Sequence, residues 1–260
     1  MSELSQAAAP WTLEAAERWL SRPRLQRYLE PSGQDLDLAI RLYQWNTKTS
    51  AAAMVELAHL EVAMRNAYVS RLSAKYPDWL SPSSKLWRRR IGNSARQVAQ
   101  QQANDTTLDR LEEAENGLRH NKKTPDRIVA NTSLGLWCNL TDQYREPTIW
   151  TPILSSVYPP GTKRGQVHRM ALNVNGFRNR VAHHEPLFSK TTALGKRVRE
   201  VRILHALIDP FSADHVFRDQ LQRLVTACPV PGLVQWPESL NRPPSNMLMA
   251  RSRHAGSQDD

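Results

Sequence analysis

The chain lacks any run of about 18 consecutive apolar residues, so no membrane-spanning helix is expected and no membrane partner. Glycine is scarce, with 10 residues against 17 prolines, and β-branched runs are few, which argues against an all-β design. There are only two cysteines, Cys138 and Cys228, without the spacing of a metal site. Buried free thiols fit that pattern and suit a reducing cytoplasm. The first thirty residues carry acids and no long apolar core, so no signal peptide is expected and the cytoplasm is the expected location. A phosphate-cradling glycine loop, a nucleophile elbow and an H-E-x-x-H helix are also missing. No cofactor is expected.

At 260 residues, with 40% hydrophobic and 23% charged side chains, the chain has the makeup of a folded domain with a sizeable core. Acidic residues fall well short of basic ones. The net charge of +10 favours a polyanion, most often nucleic acid. The same surplus also fits a protein that is merely basic.

From Thr12 onward the pattern is helical. "TLEAAERWL" opens on a threonine cap with acids in its first turn. "SRPRLQRYLEPSG" is a break and a short helix ended by Pro31 and Gly33. Residues 35–76 form the longest helical tract, in which Met54, Leu57, Leu60, Met64, Tyr68 and Leu72 recur at three- and four-residue spacing as one buried stripe. Asn46 to Ser50 interrupt the apolar pattern, so two helices are predicted here. Polar helices follow, then the more buried "RIVANTSLGLWCNL" and the loop-rich "PTIWTPILSSVYPPGTKRG". "QVHRMALNVNGFRNRVAHHEPLF" is a helix ended near Pro186, because proline pushes the preceding residue out of helical geometry. Two helices close the domain, one ending at Asp209–Pro210 and one from Ser212 to Cys228. The expectation is an all-α single domain over residues 1–228, with a Pro-rich, flexible tail over 229–260.

The stretch most able to carry chemistry is "RNRVAH", an R-N-x-x-x-H hexapeptide from Arg178 to His183. On a helix its ends point roughly 140° apart, but arginine is long and His183 sits where the helix is ending. A neutral imidazole can take the proton of a ribose 2′-OH, and an imidazolium can give one to the leaving 5′-oxygen. Arg178 can fork two donors onto phosphate oxygens as charge builds there. Asn179 can orient the histidine, bind the phosphate or hold a helix pair together. One histidine cannot easily be both acid and base, so a two-fold dimer would suit this chemistry. Metal binding by His183 and His184 is disfavoured, since adjacent helical residues point about 100° apart. A plain structural reading stands beside the chemical one: Arg and His in a last helical turn are favoured by the helix dipole alone.

Within "LEVAMRNAY", Glu61 lies between Leu57 and Met64 on the apolar stripe, where an unpaired carboxylate is costly. It needs a cation, either Arg65 one turn on or an arginine of a packed helix such as Arg178. A structural ion pair is the role expected of it.

Four segments in order resemble the Abi-like (abortive infection) proteins of bacteria, within the larger HEPN superfamily. They are "RLQRYLEPSGQDLDLAIRLYQWN", "LEVAMRNAY", "RIVANTSLGLWCNL" and "RNRVAHHEPLF", spanning about Arg24 to Phe188. The resemblance implies a HEPN-like helical bundle that forms a homodimer, with its motif helices facing across a composite cleft. It implies metal-independent endoribonuclease activity on RNA, used in phage defence or as a toxin, with an antitoxin or a phage-derived trigger as further partners. Arg178, Asn179 and His183 match the motif, Glu61 and Arg65 match a segment typical of the Abi-like group, and His184 is common in that group with no role assigned. The alternative is a helical module that binds RNA or a partner without catalysis, as some HEPN domains do.

Overall fold

Helix starts follow the capping residues. Thr12 accepts the Ala15 N–H and opens α1 (Leu13–Leu20), while α2 (Arg22–Leu29) carries Pro23 in its first turn, where no N–H is needed. Asp35 accepts the Leu38 N–H and opens α3 (Leu36–Lys75). The structure, a computed structural model, describes residues 10–88, 94–190, 192–217, 219–246 and 248.

α3 runs unbroken for 40 residues, about 60 Å at 1.5 Å per residue. This corrects the expectation of two helices. Asn46, Thr49 and Ser50 are buried at 2%, 0% and 5% exposure, so they are contact points for packed neighbours, not a loop. The predicted stripe holds from Leu57 to Leu72, and Met54 packs partly buried at its edge.

A capping box between Ser94 and Gln97 starts α4 (Ala95–Asn116), followed by α5 (Pro125–Ala130) and α6 (Leu134–Asn139). The loop-rich stretch after α6 is more ordered than expected. Single 3-10 or π turns at Gln143–Arg145, Glu146–Trp150 and Leu154–Val157 bury Ile149, Trp150, Ile153, Leu154 and Tyr158. Turns this short show no period in sequence.

α7 (Arg164–Ala182) and α8 (Leu194–Ile208) pack on each other and on α3. The expected last helix is instead two, α9 (Pro210–Val216) and α10 (Gln220–Thr226), and the cap is Asp209, which accepts the Ser212 N–H. The chain leaves the helix at Phe217 (φ −76°, ψ 126°), whose ring lies edge-on to His205 and beneath the Arg202 guanidinium.

All regular structure among the described residues is helical. The main core gathers the second half of α3 with α6, α7 and α8. A smaller one joins α1, α2 and the first half of α3 around Leu25, Tyr28 and Trp45. Part of the expected tail lies against these cores. Leu240 is 2% exposed and its carbonyl accepts a hydrogen bond from Arg202, while residues 251–260 fall outside the described ones. Among the described residues no helix is long and apolar enough to cross a membrane.

Candidate active site

The buried face of α7 decides where the motif residues stand. Val167, Met170, Val174, Phe177 and Val181 point into the core. Arg178 follows Phe177 and so lies half-buried on the flank of that face, whereas Asn179 and His183 are exposed. In one chain the arginine and the histidine share the C-terminal end of α7 but sit on different sides of it.

The helix ends at Ala182, earlier than the proline suggested. His183 is the C-cap (φ −88°, ψ 8°), with its N–H on the Asn179 carbonyl. His184 takes a left-handed conformation with φ 55°. Its N–H bonds the Val181 carbonyl at 3.1 Å, and the Glu185 N–H bonds the Arg180 carbonyl at 3.0 Å. These two bonds form a Schellman motif, with a histidine where glycine is usual. His184 therefore has a structural role, at some conformational cost. The substitution His184→Gly is expected to raise the melting temperature by a few degrees, in line with the roughly 1 kcal/mol that a non-glycine residue costs in the left-handed region. A lowered melting temperature would show that the imidazole makes contacts outweighing the backbone strain.

Glu61 of α3 lies within electrostatic reach of Arg178. Burial pushes its carboxyl above the ordinary value, while the guanidinium charges of Arg178 and Arg65 and a hydrogen bond from the Leu134 N–H pull it down. Both cations allowed by the sequence thus act on Glu61, and the Leu134 amide at the start of α6 adds a donor that no spacing announces. The carboxylate is thus stabilised by two guanidinium charges and by the amide at the start of α6. Sequence reasoning foresaw the need for a partner but not the amide.

A second residue escaped the sequence reading altogether. Asn46 donates its Nδ2–H to the Glu185 carbonyl at 3.3 Å and accepts the Leu187 N–H on Oδ1 at 2.7 Å. This clamp bolts the segment after the histidines onto α3, and an Arg180–Glu185 ion pair at 2.9 Å braces it from α7. The signal was present as a polar residue inside a buried stripe, which must find a partner.

The model of a family described as Abi-like protein matches residues 15–189. The chain belongs to the Abi-like family. The Abi-like match runs from α1 through the clamp to Ser189, so it takes in Glu61, Arg65, Arg178, Asn179, His183 and His184. The Abi-like segment stops before α8, which nevertheless packs on both α3 and α7. Comparison with curated proteins and with solved structures gives no match.

Proposed function

We propose that this Abi-like protein is a metal-independent endoribonuclease of the HEPN type, acting in the phage defence that its family name suggests. His183 would serve as acid and base, Arg178 would stabilise the phosphate as charge develops, and Asn179 would support them. The observation that carries the reading is the way the motif is held. Arg178 lies half-buried within electrostatic reach of the half-buried Glu61 carboxylate, while His183 stands exposed on a helix end fixed by a Schellman motif and the Asn46 clamp. A half-buried carboxylate acting on a half-buried arginine, with an exposed imidazole at the same helix end, suits anchoring and proton transfer better than it suits a solvated helix end.

Separation of the two side chains within one chain favours a composite site. The exposed positions Gly165, Arg169, Leu172, Gly176, Asn179 and His183 follow three- and four-residue steps down one side of α7. Leu172 in their midst is 46% exposed. A second copy meeting this stripe about a two-fold axis would bring two histidines together, one for each proton transfer.

The test is incubation of the purified protein with RNA in EDTA. Cleavage that leaves a 2′,3′-cyclic phosphate and persists under chelation is expected, since the nucleophile is the substrate's own 2′-OH. Cleavage abolished by EDTA and restored by a divalent ion would overturn the mechanism. Binding that weakens with salt but gives no turnover would support the non-catalytic RNA-binding reading.

A further inference from the structure

The chain exposes an aromatic pair that the motif does not use. Trp11 and Trp19 are 41% and 49% exposed, and their rings stack at 5.1 Å with only 12° between planes. Two tryptophans open to solvent and nearly parallel are unusual on a surface that could bury them. They are also the outer end of a ladder. Trp19 meets Tyr43 at 5.2 Å, Tyr43 meets Tyr28 at 5.3 Å, and Tyr28 meets Phe188 at 5.5 Å. Phe188 belongs to the segment that leaves the two histidines.

The ladder and the motif share a support. Tyr43 and Asn46 lie one turn apart on α3; one carries the rings and the other clamps Glu185 and Leu187. The tryptophan pair is therefore fixed relative to His183 rather than borne on a separate arm. Four ring-to-ring steps of 5.1–5.5 Å separate Trp11 from Phe188.

Charge identifies the occupant. Residues 18–27, "RWLSRPRLQR", hold four arginines and no acid. Arg18, Arg22, Arg24 and Arg27 are all exposed. Arg18 and Arg22 touch Glu14 and Glu17 only at 3.8 and 3.6 Å on open surface, pairings too weak to withhold them from phosphates. Flat aromatic faces interleaved with exposed guanidinium groups match single-stranded nucleic acid, whose bases stack and whose backbone is anionic. A purely apolar protein partner would leave those arginines without counter-charges.

We propose that Trp11, Trp19 and the arginines of α1–α2 form a stacking platform for single-stranded RNA, which delivers the strand to the α7 motif. The proposal rests on the ribonuclease reading for the identity of the substrate, and its test separates the two. The full chain carrying His183→Ala, so that bound RNA is not consumed, is titrated with a labelled 12-nucleotide single-stranded RNA and with the same sequence as a duplex. Trp19→Ala and Trp11→Ala are each expected to weaken single-strand binding about tenfold and to leave duplex binding unchanged. Trp19→Phe, which keeps a ring and guards against misfolding as the cause, should recover most of the loss. Arg24→Gln and Arg27→Gln should each make binding less steeply salt-dependent. In the chain with His183 intact, Trp19→Ala should raise KM for the same RNA by a similar factor with kcat unchanged, as for a contact made equally in ground and transition states.

Equal single-strand affinity with and without the tryptophans would overturn the platform; RNA cleavage by the intact chain would then leave the ribonuclease reading standing. Ring-dependent binding with no cleavage would sustain the platform and overturn the ribonuclease reading. A fall in the protein's solution mass in Trp19→Ala, with RNA affinity unchanged, would overturn the platform in favour of a protein interface.

Discussion

Replacing His183 with alanine is expected to lower RNA cleavage by about 10²- to 10⁴-fold, the usual worth of a positioned general acid or base. Its melting temperature should stay close to that of the parent, because the side chain is exposed at a helix end and the cap bonds there use backbone groups. Arg178→Ala should cost on the order of 10²- to 10³-fold, as loss of a donor aimed at developing charge does. Arg178→Lys should recover only part of it, since a lysine keeps the charge but not the planar fork. If the composite-site reading holds, mixing His183→Ala chains with the parent should lower activity by more than dilution, because each heterodimer carries only one of the two histidines. Undiminished cleavage by His183→Ala would remove the histidine from the mechanism.

The largest effect on stability is expected at Arg202. Its guanidinium donates to both carboxylate oxygens of Glu56, at 3.0 and 2.5 Å, and to the Leu240 carbonyl at 3.1 Å. It also lies 5.4 Å from the centre of the Phe217 ring and 5.3 Å from that of Trp236. One side chain thus ties α8 to α3, to the break between α9 and α10, and to the chain beyond Pro229. Both partners are buried, with side chains 6% and 8% exposed. Arg202→Ala leaves Glu56 as an uncompensated buried charge, a change that costs about 3–5 kcal/mol. At about 2–4 °C per kcal/mol for a chain of this size, the melting temperature should fall by on the order of 10 °C.

The same variant should respond to pH in a known direction. Burial already raises the Glu56 carboxyl above its ordinary value, and Arg202, by hydrogen bond and by charge, is what pulls it back. Without Arg202 the folded-state value rises further above the unfolded one. A carboxyl raised in this way favours the folded state least once both states ionise, so stability falls as pH climbs from the ordinary carboxylate range through the raised folded value. The deficit of Arg202→Ala relative to the parent should therefore be smaller at pH 5 than at pH 8. Denaturant melts at both values check this, and equal deficits would show that lost packing on Phe217 and Trp236 dominates instead.

Much of the architecture was legible in the residues themselves. Helix class, the cap at Thr12 and the stripe from Leu57 to Leu72 all follow from local rules: side-chain period, cap chemistry and proline sterics act within a few residues. The pattern from Arg178 to His183 was visible for the same reason, as a short run of residues, while its assignment to chemistry came from the family resemblance. Glu61 is an intermediate case. A carboxylate on an apolar stripe must be paired, so a partner could be demanded but not chosen; the packing of α3 against α6 and α7 added Arg178 and the Leu134 amide to Arg65 of the same helix.

Other features depended on contacts between distant parts of the chain. Asn46 looked like a break in a helix until its partners, about 140 residues away, turned it into a clamp. The helix break at Phe217 and the packing of Leu240 depend on Arg202, and the aromatic ladder assembles rings from four separate segments. By itself, then, the sequence determined the helical class and the place of the R-N-x-x-x-H pattern in it, because those properties are set by near neighbours. Only the tertiary structure decided which carboxylate lies near Arg178, why the chain ends its motif helix at His183, and where an exposed tryptophan pair stands relative to it. Those depend on contacts across the fold, which no local pattern encodes.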